Sequence, residues 1–103
     1  MQSLVINKEY IFESLRSHRS EIKAFGVQSL GLFGSFVKNT ATENSDIDLL
    51  VSFEPKQKTY DNFMDLSFFL EDLFGRKIEM VTQQSLSKYI GPHILKEVEN
   101  VGI

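Results

Sequence analysis

No cysteine occurs in this chain, which excludes disulfides and thiolate metal centres together. Histidine is nearly absent too. His18 and His93 are the only two, and they form neither a zinc-binding spacing nor a credible Ser/His/Asp triad. No apolar run reaches the length of a membrane span, and the N-terminus lacks a basic-then-apolar leader. The expectation is therefore a cytoplasmic protein. There is no Gly-Lys-Ser/Thr sequence, so a P-loop is ruled out. Gly31 and Gly34 are not followed by the third glycine of a dinucleotide fingerprint. Repeats and low-complexity tracts are missing as well. The chain also lacks the basic stripe of a protein that grips a nucleic-acid backbone, and its net charge is −3.

What is present is ordinary in amount and uneven in placement. With 103 residues, 42% of them hydrophobic, the chain is expected to form a single domain over 1–103 with one real core. Residues 40–79 carry nine acids against four bases, while residues 1–39 carry five bases against three acids. A locally acidic middle disfavours long polynucleotides and favours divalent cations.

Taken in order, Asn7 can cap a helix whose stripe is Ile11, Leu15, His18, Ile22 and Phe25, with Gly26 placed to end it. On that stripe His18 reads as a packed edge residue rather than a ligand. Val27 to Phe33 has strand character and stops at Gly34-Ser35, where Phe36-Val37-Lys38 begins a short helix. A small polar loop over 39–45 leads to a second strand, Ser45 to Phe53, closed by Glu54-Pro55. Tyr60 to Phe74 is a strongly apolar helix with Asp61, Asp65 and Asp72 as its one polar stripe. Two alternatives stay open for its surface: burial on most sides, or contact of part of it with a partner protein. Gly75 ends it, Arg76 to Val81 forms a third strand, and Gln83–Ile90 and Pro92–Val101 read as two short helices. The order α-β-β-α-β-α is an α+β fold, a small mixed β-sheet with helices packed against it.

The chemistry gathers between Leu30 and Phe53. Glycine and serine at a strand end leave backbone N–H groups in a tight turn, a place to hold an anion. Asp46 and Asp48, at i and i+2, point to one side with Cα atoms roughly 6.5–7 Å apart. An anion cradle facing a carboxylate pair suits metal-bound phosphate. Nucleotidyl transfer needs in-line positioning and charge neutralisation more than covalent help from the protein. Two Mg²⁺ ions about 3.5–4 Å apart supply that neutralisation, and Asp46 and Asp48 can ligate them. Glu79 joins the site only if its strand lies beside the aspartates. Lys38, one turn beyond the glycine, is either a phosphate neutraliser or a solvated lysine.

These residues carry a resemblance. Gly34-Ser35, ten intervening residues and Asp46-Ile47-Asp48 match the signature of the DNA polymerase β-like nucleotidyltransferase superfamily. The short chain, the Lys77-to-Thr82 strand and the tail from Ile90 to Glu97 are similar to its minimal branch, usually the antitoxin half of HEPN/MNT toxin–antitoxin pairs. The resemblance spans roughly Val27 to Val101. It implies Mg²⁺-dependent transfer of AMP from ATP to a tyrosine of a partner HEPN ribonuclease, which silences the toxin. Asp46, Asp48 and Glu79 would then be the catalytic and metal-binding acids. Gly34, Ser35, Lys38 and Ser45 would contact the nucleotide. Many members have aspartate where Glu79 stands, and this branch often has Arg-Gly where the chain reads Lys38-Asn39. A binding module that neutralises a toxin by covering it is the alternative. A transferase for a small molecule or RNA end is a more distant one, since such enzymes normally add a substrate domain.

Overall fold

The computed structural model describes residues 6–103. Asn7 caps the first helix as its side chain predicts, accepting the Tyr10 N–H at 2.8 Å. The expected single helix is two: α1 (Lys8–Ser17) and α2 (Arg19–Ala24), meeting at His18. The apolar phase survives the break because the Ile22 N–H still bonds to the His18 carbonyl, so Ile11, Leu15 and Ile22 are all fully buried. His18 is a packing residue. One ring nitrogen, Nδ1, lies 2.8 Å from the Ser14 carbonyl oxygen, and the ring stands edge-on to Phe69 with centroids 6.0 Å apart.

Among the described residues, four strands form one sheet in the order β3-β2-β1-β4, with β4 spanning Glu99–Asn100. β1 (Val27–Phe33) runs antiparallel to β2 (Ile47–Phe53), and β2 runs parallel to β3 (Ile78–Thr82). A parallel neighbour requires a crossover, and the segment between β2 and β3 contains α4 (Tyr60–Phe74). Alternation along β2 is strict: Ile47, Leu49, Val51 and Phe53 are buried, while Asp48, Leu50 and Ser52 are only partly covered. The buried set packs with Leu30, Leu32 and Ile78 of the sheet and Ile11, Leu15, Ile22, Leu66, Leu70 and Phe74 of the helices. The core thus lies on one face of the sheet, leaving the other face for the acidic residues.

α4 buries Leu66, Leu70 and Phe74 and packs Phe63, Phe69 and Leu73 partly against the core, while Tyr60 is 77% and Phe68 56% exposed. Two further expectations need correction. Gln83–Ile90 is no helix but a 3₁₀ turn over Gln83–Ser85 followed by further turns. Serines divert its backbone: the Ser85 hydroxyl bonds with both the N–H and the carbonyl of Thr82, and the Ser87 hydroxyl accepts from the Ile90 N–H. The last helix, α5 (Gly91–Glu97), ends early, and Glu99–Asn100 becomes a short strand, β4, antiparallel to β1. Two residues are too few to show alternation in a sequence.

Candidate active site

β1 ends at Gly34, whose φ of 80° and ψ of −151° lie outside the range open to other residues. A side chain there would also run into the Asp48 carboxylate, whose Cγ lies 2.9 Å from where a Cβ would sit. Glycine is thus required twice, for its backbone angle and for the closeness of an acid. Ser35 opens the short helix α3 (Ser35–Lys38), anchored by the buried Phe36 and closed by Asn39 in the left-handed conformation.

Register brings the acids together. Phe33 pairs with Asp48 across β1 and β2, and Asp48 pairs with Glu79 across β2 and β3. Paired residues on adjacent strands share a face with Cα atoms about 4.8 Å apart, so Asp48 and Glu79 are direct neighbours. Asp46 sits at the mouth of β2, where the Ile47 N–H bonds to the Lys77 carbonyl at 3.1 Å. Burial pushes the Asp48 carboxyl up to about 6 from its usual 3.8, and the charges of Glu79, Asp46 and Glu97 add to the rise; Lys38 opposes it. The site concentrates four acids, Asp46, Asp48, Glu79 and Glu97, against two lysines at its edge, Lys38 and Lys77.

The acids share a face without converging on one point. Among the described residues, no three acids or histidines are gathered closely enough to ligate one ion. Asp46 leans toward Lys77, with Oδ2 3.9 Å from Nζ, and Glu79 is exposed. The Ser45 hydroxyl is turned into its own loop, accepting the Thr42 N–H at 2.8 Å. Lys38 points back at the site, 3.8 Å from Glu97.

Two positioning groups escaped the sequence. Arg76 donates to the carbonyls of Ser45 at 2.8 Å and Thr42 at 3.1 Å, and its guanidinium lies over the Phe36 ring. It ties the end of α4 to the loop that delivers Asp46. Glu97, at the end of α5, accepts the Gly34 N–H at 3.2 Å. Neither contact has a local signal, since the partners lie 31 or more residues apart in the chain. The same sheet face carries a cavity of about 260 Å³ whose lining includes Gly31, Leu50, Ser52 and Asn100. Gly31 and Leu50 form a pair two residues along each strand from Phe33 and Asp48. A cavity of similar size, about 270 Å³, opens beside Phe53, at the other end of β2 from Asp48.

The geometry sets the Gly34 turn against Asp48, with Glu79 on the adjoining parallel strand. The profile of the nucleotidyltransferase domain family matches residues 15–102, and the chain belongs to that family. Among its relatives is the protein adenylyltransferase MntA of Thermococcus cleftensis, 37% identical over 95 residues, covering 91% of this chain and 95% of that protein. A solved structure provisionally described as a minimal nucleotidyltransferase superposes with a TM-score of 0.71 at 28% identity, covering 94% of this chain and 98% of its own. The fold also matches a toxin–antitoxin crystal structure with AMP-PNP, at a TM-score of 0.65 and 22% identity, over 93% of this chain and 73% of that one.

Proposed function

We propose that this nucleotidyltransferase moves AMP from ATP to a tyrosine hydroxyl of a partner HEPN ribonuclease toxin, and so acts as its antitoxin in the cytoplasm. The observation that carries the proposal is the Asp48–Glu79 pairing beside the Gly34 turn. The similarity to an MntA adenylyltransferase supports a protein acceptor.

The donor set fits magnesium. Hard carboxylate oxygens suit this ion, which commonly binds through one or two carboxylates together with substrate phosphates and water. Asp46 and Asp48 would hold two such ions with the nucleotide, and Glu79 would complete the second site. When bound, they neutralise charge on the transferring phosphate and the pyrophosphate.

In this reading the protein's own groups take the remaining roles. The Gly34 turn and the Ser35 hydroxyl hold the β- and γ-phosphates, and Lys38 offsets their charge. Ser45 contributes by shaping the loop before Asp46, because its hydroxyl already bonds to Thr42. The acceptor oxygen attacks the α-phosphorus from the side opposite the leaving group. A new P–O bond forms to the acceptor as the bond to the β-phosphate breaks, and pyrophosphate departs. The phenolic proton passes to Glu79, exposed at the rim of the face where an acceptor arrives.

Incubation with ATP, Mg²⁺ and the folded cognate toxin is expected to add AMP mass to one toxin tyrosine. Unmodified toxin would remove the transferase assignment. The exposed Tyr60 and Phe68 on α4 favour one further reading, inhibition by direct covering of the toxin. In that case Asp46→Ala and Asp48→Ala would still protect cells, whereas a charge at the exposed Phe68 would not.

A further inference from the structure

Glu97 closes α5 and reaches across the sheet to the end of β1. Its Oε2 atom accepts the Gly34 N–H at 3.2 Å and lies 3.8 Å from the Lys38 ammonium. The side chain is only 23% exposed. Asp48 stands close enough to feel the charge of Glu97, and Glu79 pairs with Asp48 on the adjoining strand. What holds Glu97 there is one backbone donor and one ammonium group. A phosphate oxygen in the Gly34 turn would use the same two groups, and carboxylate and phosphate oxygens are equivalent acceptors for them. One N–H cannot serve both anions at full strength.

We propose that Glu97 is a resident competitor for the phosphate cradle, an internal anion that a polyphosphate must displace before it can bind. The inference rests on the assignment of the Gly34–Ser35 turn to the phosphates. Glu97 thereby sets affinity and selects for ligands of high charge. A triphosphate has several oxygens to engage Gly34, Ser35 and Lys38 and can outbid one carboxylate, whereas a single phosphate group cannot. Displacement also carries a negative charge away from Asp48 as the nucleotide's own charge arrives.

Binding of a non-hydrolysable ATP analogue and of inorganic tripolyphosphate, each with Mg²⁺, tests this by calorimetry on the full chain. Glu97→Gln keeps the shape of the side chain and removes its charge. It is expected to tighten both ligands by roughly three- to tenfold, the range of one weakened charge-assisted hydrogen bond. The gain should be equal for the two ligands, because Glu97 touches only the cradle. A purely structural role for Glu97 predicts the opposite sign, since loosening α5 would weaken binding. Glu97→Asp, which retracts the carboxylate by one methylene, is expected to give a smaller gain and serves if the glutamine variant folds poorly. Wild-type binding with no gain in either variant overturns the competitor role and leaves the cradle assignment standing. Absence of binding by wild type and variants alike overturns the cradle assignment and the competitor role with it.

Discussion

The two faces of the sheet are made from the same strands and obey different physics. On one face Ile47, Leu49, Val51 and Phe53 are 0–8% exposed beneath the helices. On the other, Asp48 sits beside Glu79, and burial first, then the charges of Glu79, Asp46 and Glu97, raises its pKa. One residue step along β2 separates a group that stabilises the fold from one that strains it. The covered face therefore supplies the stability on which the acidic face draws, as expected when functional sites carry local cost.

On stability, the contrast grades the expected effects. Leu66, fully buried in α4, faces the core, and Leu66→Ala is expected to cost about 2–5 kcal/mol by denaturant unfolding. A loss below 1 kcal/mol would mean that the helix packs loosely. On the other face the sign reverses. Because the folded-state pKa of Asp48 is raised from 3.8 to about 6, the folded chain binds more protons than the unfolded chain between those values. Stability should therefore fall as pH rises from about 4 to 6 on this group's account, by an order of 1–2 kcal/mol once solvent screening is allowed for. Asp48→Asn should recover that amount at pH 7.5 and nothing near pH 3.5. Equal stability of wild type and variant at both pH values would remove the charge crowding from the account.

Arg76→Gln should cost about 1 kcal/mol, since two carbonyl contacts and the Phe36 stacking are lost. Hydrogen exchange should then rise in the 40–46 loop before it rises in the sheet. Uniform exchange would argue against a local tie. The smallest effect belongs to the exposed side of α4. Phe68→Glu should change stability by no more than about 0.5 kcal/mol while weakening any toxin complex that uses this surface. A large drop in Tm would show that Phe68 supports the fold instead.

The same division governs what the chain reveals before it is folded. The covered face was legible because burial imposes a period: strict alternation in β2 and the Ile11, Leu15, Ile22 stripe both emerge from side-chain geometry. The Gly34-Ser35 and Asp46/Asp48 pairs were legible because their chemistry restricts residue type and spacing. Asp48–Glu79 adjacency was not, because it depends on β3 lying parallel to β2, which no local pattern encodes. Arg76 and Glu97 were invisible for a similar reason: each acts through backbone atoms far along the chain, and a backbone N–H or carbonyl has no sequence signature. For α4, composition left two readings open. Its apolar residues outnumber what one stripe can bury, and Tyr60 and Phe68 remain outside.

The central claim is that the charge crowded around Asp48 is kept for nucleotidyl transfer, and one variant tests it most directly. Asp48→Asn, mixed with ATP, Mg²⁺ and the folded toxin, should transfer AMP at least about 10²-fold more slowly than wild type, while remaining folded and no less stable at pH 7.5. A folded Asp48→Asn chain that modifies the toxin at the wild-type rate would contradict the account.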